Sequence, residues 1–127
     1  MIIYVAHASS FDFKKELYEP LRSSELYKQY EFVLPHLQSN SPFNSKEFLR
    51  SCDLVIAEVS FPSTGMGIEL GWADMIGVPV FCIYRKGSKV SSSLEMVKTS
   101  RQEYKNADDM LKIIGRYLSQ YKQKLTS

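Results

Sequence analysis

Four short runs of apolar, mostly β-branched residues alternate along the chain with segments of helical spacing. The runs lie at 2–6, 30–34, 54–59 and 78–84, and a weaker one lies at 101–104. Short apolar runs of this kind predict strands that are buried on both faces, as in a parallel sheet. Strands that alternate with helices predict βαβ units, whose crossovers are right-handed.

The helical segments are predicted over 11–27, from a cap at 44 or 45 through 50, from the glycine-rich segment 65–67 to about 76, and from 107 to about 121. Pro20 interrupts the first of them, and we expect it to end or kink that helix. Asn44 or Ser45 can cap the second, because each offers a side-chain oxygen to the amides of the first turn. Gly77 and Pro79 are the stop signals of the third.

The predicted fold is therefore α/β. We expect a doubly wound parallel five-stranded sheet, a three-layer sandwich that is flavodoxin-like or Rossmann-like. The 127 residues fit one domain over 1–127. In such sheets ligands bind beyond the carboxyl ends of the strands, where the strand order switches. The site is expected to involve 6–10, 60–69 and 85–93.

Composition and charge narrow the classes of function. A formal charge of +2, with both signs mixed along the chain, gives no broad field for a nucleic-acid backbone. The pattern predicts neither a membrane span nor a signal peptide, and Cys52 and Cys82 read as reduced, buried thiols. We therefore expect a cytoplasmic protein. His7 and His36 are not spaced as a ligand pair, so no metal site is predicted.

The segment 53–73 combines a strand, a glycine-rich turn and the start of a helix. Gly65 and Gly67 let backbone amides approach a ligand closely, and the helix N-terminus favours an anion such as a phosphate. Ser63 and Thr64 add hydroxyl donors. The glycine spacing matches neither the P-loop nor the dinucleotide fingerprint. An anion site is predicted here, but not an ATPase or a dinucleotide-binding domain.

Glu69 lies about one turn into that helix, and its spacing allows two interpretations. Its carboxylate can simply stabilise the helix through the dipole, by about 0.3–1 kcal/mol. It can also attack an anomeric carbon as a nucleophile. His7 and His36 both follow strands at the same edge, where an imidazole can protonate a leaving base, although both also fit ordinary loop positions.

Residues 57–73 read AEVSFPSTGMGIELGWA. This run resembles the signature of the nucleoside 2-deoxyribosyltransferase superfamily, and is especially similar to its 2'-deoxynucleoside 5'-monophosphate N-glycosidase branch. The resemblance implies that Glu69 is the nucleophile and that Tyr4 lies near the sugar. It also implies that Ser63 and Gly65 contact a phosphate, because the transferases of unphosphorylated nucleosides carry a carboxylate at the Ser63 position.

The same resemblance implies a homodimer in which Ser92, or a neighbouring serine, reaches across the interface. Two positions depart from the family pattern. The loop after the first strand lacks the expected arginine, which leaves His7, Ser9 and Ser10 as its possible substitutes. The family's aspartate before the third strand is replaced by Ser45.

The function implied is cleavage of the N-glycosidic bond of (deoxy)nucleoside 5'-monophosphates or nucleosides. It would be a retaining reaction through a glycosyl-Glu69 intermediate, completed by hydrolysis or by transfer to another base, with no cofactor. One rival is a non-catalytic nucleotide-binding or signalling module on the same fold. Another is a flavodoxin-like FMN carrier, which would be yellow as purified.

Overall fold

The structure is a computed structural model that describes residues 1–38 and 45–126. It contains five strands, which are, in chain order, β1 Ile2–His7, β2 Glu31–Val33, β3 Leu54–Glu58, β4 Val80–Arg85 and β5 Thr99–Tyr104. All neighbours in the sheet are parallel, in the order β2-β1-β3-β4-β5. The predicted doubly wound parallel sheet is confirmed, and its order switches direction between β1 and β3.

Five α-helices connect or flank these strands. They are α1 Glu19–Arg22, α2 Leu26–Gln29, α3 Ser45–Leu49, α4 Thr64–Ile76 and α5 Ala107–Thr126. A π-helical turn, Lys14–Tyr18, runs directly into α1, and a 3₁₀ turn, Ser92–Met96, precedes β5. None of the helices in the described ranges is long and apolar enough to cross a membrane.

The strict alternation of side chains along β1 divides the core into two clusters. Ile3 and Val5 face the layer formed by α1 and α5, whereas Tyr4 and Ala6 face α3 and α4. Burial of each large apolar side chain contributes about 1.5–3 kcal/mol, so both layers hold the sheet firmly. Tyr4 thus lies under α4 because of the two-residue period of the strand.

Pro20 does not end the first helix, which continues to Arg22, two residues beyond it. The distortion of the helix lies directly before Pro20, in the π-helical turn that runs into α1. This turn is widened, since the Glu19 N–H donates to the Lys14 carbonyl five residues back.

Two boundaries also differ from prediction. Val78 lies in the turn that closes α4 and not in β4, because its N–H donates to the Ala73 carbonyl at 2.9 Å after Gly77 turns left-handed at φ 81°. Ser45 is the first residue of α3 and not its cap. The alternative cap, Asn44, lies outside the described residues.

Candidate active site

A pair formed by Tyr4 and Glu69 lies at the centre of the site. The Tyr4 hydroxyl donates to Glu69 Oε2 at 2.5 Å. Burial raises the pKa of Tyr4 far above its ordinary range, and the charge of Glu69 and the hydrogen bond to it act in the same direction. Tyr4 is therefore a neutral donor at any physiological pH. The other carboxylate oxygen, Oε1, has no hydrogen-bond partner among the described residues.

Ser45 is a polar neighbour of this pair. It is buried at the start of α3 and lines the same cleft as Tyr4 and Glu69. Its side chain lowers the pKa of Tyr4, against the larger effects of burial and Glu69.

The glycine-rich turn between β3 and α4 forms one end of the site. Ser63 is the N-cap of α4, and its hydroxyl oxygen accepts a hydrogen bond from the Met66 N–H at 3.2 Å. A Cβ atom added to Gly65 would meet nothing within 4 Å, so the space above this residue is open. The helix N-terminus therefore faces room for a ligand.

These groups line one open cleft of about 370 Å³. The predicted site residues that line it are Tyr4, His7, Ser9, Ser45, Ser63, Gly65 and Glu69. The other three lie elsewhere. Ser10 is exposed beyond the cleft, Gly67 faces a separate cavity behind α4, and Ser92 is exposed in the 3₁₀ turn. Within one chain Ser92 does not reach Glu69.

His7 lines the cleft with both ring nitrogens already engaged. Nδ1 lies 2.8 Å from the Ala8 carbonyl, and Nε2 lies 2.6 Å from the Tyr18 hydroxyl. Burial lowers the His7 pKa to about 4; the Ala8 carbonyl raises it and the nearby His36 lowers it. At neutral pH His7 is uncharged, so it does not provide the positive charge of the missing arginine.

His36, which sequence reasoning did not separate from ordinary loop residues, is the clearest addition to the site. Its Nδ1 is the one buried side-chain polar atom in the described residues that has no hydrogen-bond partner. His36 and Ser9 also line a second cavity of about 390 Å³, together with Phe11, Asp12 and Phe13. The cleft and this aromatic cavity therefore meet at His36. Its position after a strand was visible in the sequence, but its unpaired nitrogen was not.

Trp72 is a second addition to the site, because it lines the cleft. The Lys46 ammonium lies 5.9 Å from its ring centre. Trp72 also belongs to an exposed apolar stripe on α4 that includes Ile68, Met75 and Ile76. The stripe thus begins at the cleft and continues along the outer face of the helix.

Glu58 lies at the end of β3. Its buried carboxylate accepts hydrogen bonds from the Ser60 N–H at 2.6 Å, from the Ser60 hydroxyl at 3.0 Å and from the Tyr104 hydroxyl. Glu58 ties the start of the turn to β5 and is a structural residue. Among the described residues, no cluster of side chains has the composition of a metal site.

Comparison with known proteins identifies relatives over part of the chain. No family model matches it. The 5-hydroxymethyl-dUMP N-hydrolase of Mus musculus is 49% identical over 41 residues, which are 32% of this chain and 24% of that protein. A provisionally named 2'-deoxynucleoside 5'-phosphate N-hydrolase 1 of Methanococcoides burtonii is 45% identical over 47 residues, 37% of this chain and 38% of that protein. The matches thus span about a quarter to two fifths of these relatives' own length.

The fold is similar over nearly the whole chain to that of a solved structure. The CMP N-glycosidase BcmB of Clostridium botulinum superposes with a TM-score of 0.65 at 20% identity, covering 91% of this chain and 99% of that chain. At this identity the likeness shows the fold. The curated relatives and this structural neighbour together fit the nucleoside 2-deoxyribosyltransferase superfamily, and within it the 2'-deoxynucleoside 5'-monophosphate N-glycosidase branch.

Proposed function

We propose that the protein is an N-glycosidase of nucleoside 5'-monophosphates with Glu69 as its nucleophile. One observation carries the proposal. The Glu69 carboxylate accepts a hydrogen bond of 2.5 Å from the neutral Tyr4 and lines a cleft that also contains the N-terminus of α4. The names of the relatives, which are nucleotide N-hydrolases, and of the structural neighbour, a CMP N-glycosidase, support this class of reaction.

The proposed chemistry is a double displacement at C1'. Glu69 Oε1 bonds to C1' while the C1'–N bond breaks, and the base leaves with the bonding electrons and takes up a proton. Water then attacks C1' of the glycosyl ester, releases the sugar phosphate and restores the carboxylate. A second base that replaces water in this step would give transfer instead of hydrolysis. Neither route requires a metal or an organic cofactor.

Tyr4 has a defined role in this scheme. As a neutral donor to Oε2 it fixes the carboxylate and leaves Oε1 directed to the sugar. A hydrogen bond to a charged group contributes about 1.5–3 kcal/mol, so this contact also selects the carboxylate rotamer. Ser45 lines the same cleft beside Tyr4.

We assign the phosphate to the N-terminal end of α4. Ser63, Gly65 and Ser9 border the cleft there, and neither lysine nor arginine is among the described residues that line it. The positive potential would therefore come from the helix dipole and from backbone amides, a combination that suits a phosphate. The volume of about 370 Å³ is in the range of small-ligand clefts.

We assign the nucleobase to the aromatic cavity. Phe11 and Phe13 present ring surfaces on which a base can stack, and His36 lines the same cavity. His36 Nδ1 is buried without a partner, which costs about 1–3 kcal/mol, so a turn of the His36 ring toward a bound base would relieve that cost. His36 is the better candidate for contact with the leaving base, because the ring nitrogens of His7 are occupied.

We further propose a homodimer built on the apolar stripe of α4. Met75 is 85% exposed there, and Met96, in the same 3₁₀ turn as Ser92, is 84% exposed. A partner that covers both would bring its Ser92 toward the cleft. Light scattering should give twice the mass of one chain for the wild type and a monomer for Met75→Glu. A monomeric wild type would overturn this proposal.

One observation favours the rival, a nucleotide-binding module without catalysis. Ser45 stands where the resemblance implies an aspartate, and it lines the cleft beside Glu69 without a charge. Such a module would bind nucleotides and release no base. It would also bind equally well after Glu69→Gln, because the charge of the nucleophile would not be used.

The test is chromatographic detection of free base. Wild type, Glu69→Ala and Glu69→Gln are incubated with deoxy- and ribonucleoside 5'-monophosphates and with the unphosphorylated nucleosides, with and without a second base as acceptor. Release by the wild type alone supports the glycosidase and reports its need for a phosphate. Binding without release anywhere in the panel supports the rival.

A further inference from the structure

A buried tyrosine outside the cleft connects two of its walls. Tyr18 is 1% exposed, and its hydroxyl lies 2.6 Å from His7 Nε2 and 3.1 Å from the backbone nitrogen of His36. His7 ends β1, and His36 lies in the loop after β2. The hydroxyl thus bridges two segments that meet at the edge of the sheet where ligands bind.

The hydrogens of this network can be assigned from chemistry. A carbonyl only accepts, so the Ala8 carbonyl requires a proton on His7 Nδ1. The His36 N–H donates to the Tyr18 oxygen, and the Tyr18 proton is then donated to His7 Nε2. His7 is therefore the neutral tautomer with its proton on Nδ1. Protonation of His7 Nε2 would remove the acceptor of the Tyr18 proton and reverse the hydrogen bond between the two side chains.

The backbone around Tyr18 is unusual in a way that fits this role. Tyr18 is the last residue of the π-helical turn, in which the Glu19 N–H reaches back to the Lys14 carbonyl. Turns of this type inside helices are rare and occur frequently at functional sites. The ring of Tyr18 also packs against the His7 ring, with 5.2 Å between the centroids, and against the Phe13 ring at the same distance.

We infer that Tyr18 is a positioning residue for the nucleobase: its hydroxyl sets the spacing between the His7 and His36 walls and holds His7 as an uncharged surface. Phe13, which lines the aromatic cavity, packs on the same network, with its ring 4.4 Å from that of His7. The backbone of His36, and with it the His36 wall of the cavity, is then held at a fixed place. The inference rests on the proposed function for the location of the base.

The experiment compares Tyr18→Phe with Tyr27→Phe, both in the Glu69→Gln background to prevent turnover. Tyr27 is a matched control, because its ring stacks on Phe32 in the same core cluster and none of its contacts involves the cleft. Two probes are titrated, dCMP and 2-deoxyribose 5-phosphate, which is the same sugar phosphate without a base. Nitrogen NMR of the imidazoles in the unliganded proteins reports the His7 tautomer.

The wild-type His7 should show its proton on Nδ1. Tyr18→Phe should weaken dCMP binding about tenfold, the effect of losing roughly one neutral hydrogen bond, and leave the binding of 2-deoxyribose 5-phosphate unchanged. Tyr27→Phe should change neither. An Nε2-protonated His7, unchanged dCMP binding, or an equal loss for both probes would overturn the inference.

The same data separate this inference from the proposed function. If dCMP binds with the expected pattern but the enzyme with Glu69 intact releases no base, the glycosidase proposal fails and the role of Tyr18 stands. If base is released but Tyr18→Phe binds dCMP as tightly as Tyr27→Phe does, the glycosidase proposal stands and the role of Tyr18 fails. If the background protein binds neither probe, the inference fails, because no nucleobase is positioned.

Discussion

The Tyr4 hydroxyl and Glu69 Oε2 lie 2.5 Å apart although 65 positions separate the two residues in the chain. Tyr4 points to this side of the sheet because β1 alternates, and Glu69 points back to the strands from the second turn of α4. The contact joins the first strand to the helix after the third, across the point where the strand order switches.

Removal of the Tyr4 hydroxyl should therefore impair the chemical step. In Tyr4→Phe the ring still fills its buried place, but Glu69 loses a hydrogen bond worth about 1.5–3 kcal/mol. We expect kcat for base release to fall roughly 10- to 100-fold with little change in KM. Tyr30→Phe, which removes a hydroxyl far from the cleft, should behave as the wild type. A kcat for Tyr4→Phe within twofold of the wild type would contradict the role of Tyr4.

Charge at Ser63 should control the need for a phosphate. Asp and Asn are both good N-cap residues, so Ser63→Asp and Ser63→Asn should leave α4 intact. The aspartate would repel a 5'-phosphate, and we expect KM for monophosphates to rise at least about tenfold with KM for nucleosides unchanged. The neutral Ser63→Asn is the matched control. Equal effects of the two substitutions on monophosphates would show that the phosphate does not lie at this helix end.

A carboxylate at position 45 should raise the rate of base release, because the resemblance implies an aspartate at this position and the chain has Ser45 there. Ser45→Asp is compared with Ser45→Asn, which has the same shape and no charge. General acid–base groups contribute about 10²–10⁴ in rate, and we expect Ser45→Asp to recover roughly tenfold in kcat for deoxynucleotides. The measurement is initial rates of base release at saturating substrate. If both variants release base more slowly than the wild type, the prediction is wrong and the serine at position 45 supports the reaction better than a carboxylate does.

Protonation of His7 should make the fold sensitive to acid. The pKa of His7 is about 4 in the folded protein and 6.5 in the unfolded chain. Burial of the ring, which disfavours its charged form, is the main cause of this difference, and His36 acts in the same direction. Below about pH 6.5 the unfolded chain binds a proton that the folded chain does not, so stability falls as the pH drops toward 4. This loss amounts to about 3 kcal/mol.

Urea unfolding between pH 7 and pH 4, values that bracket the two His7 pKa values, measures this effect. His7→Gln keeps an acceptor for Tyr18 and does not titrate, so its free energy of unfolding should fall less over the same range. Parallel curves for the two proteins would mean that other groups cause the acid sensitivity.

The sequence predicted most of the fold because the apolar runs and the stop signals are local. The five strands, the parallel sheet and α4 with its Gly77 end follow from that pattern. Pro20 does not end its helix, since the rule for proline in a helix interior assumes regular α-helical turns and the turn before it is π-helical.

The site was predicted less completely, for a different reason. Glu69, Tyr4 and Ser63 were found through the glycine-rich segment and the family it resembles. The roles of Tyr18 and His36 depend on hydrogen bonds between segments that are distant in the chain. No periodicity encodes such contacts, and the occupied state of both His7 nitrogens is likewise visible only in three dimensions.

The most direct test of the central claim is mass spectrometry of the protein after incubation with a 2'-fluoro nucleoside 5'-monophosphate, whose fluorine slows hydrolysis of a glycosyl ester. We predict a mass increase equal to one fluorinated sugar phosphate, located by peptide fragmentation on Glu69 and absent from Glu69→Gln. Base release by the wild type with no adduct on Glu69, or an adduct on another residue, would contradict the account.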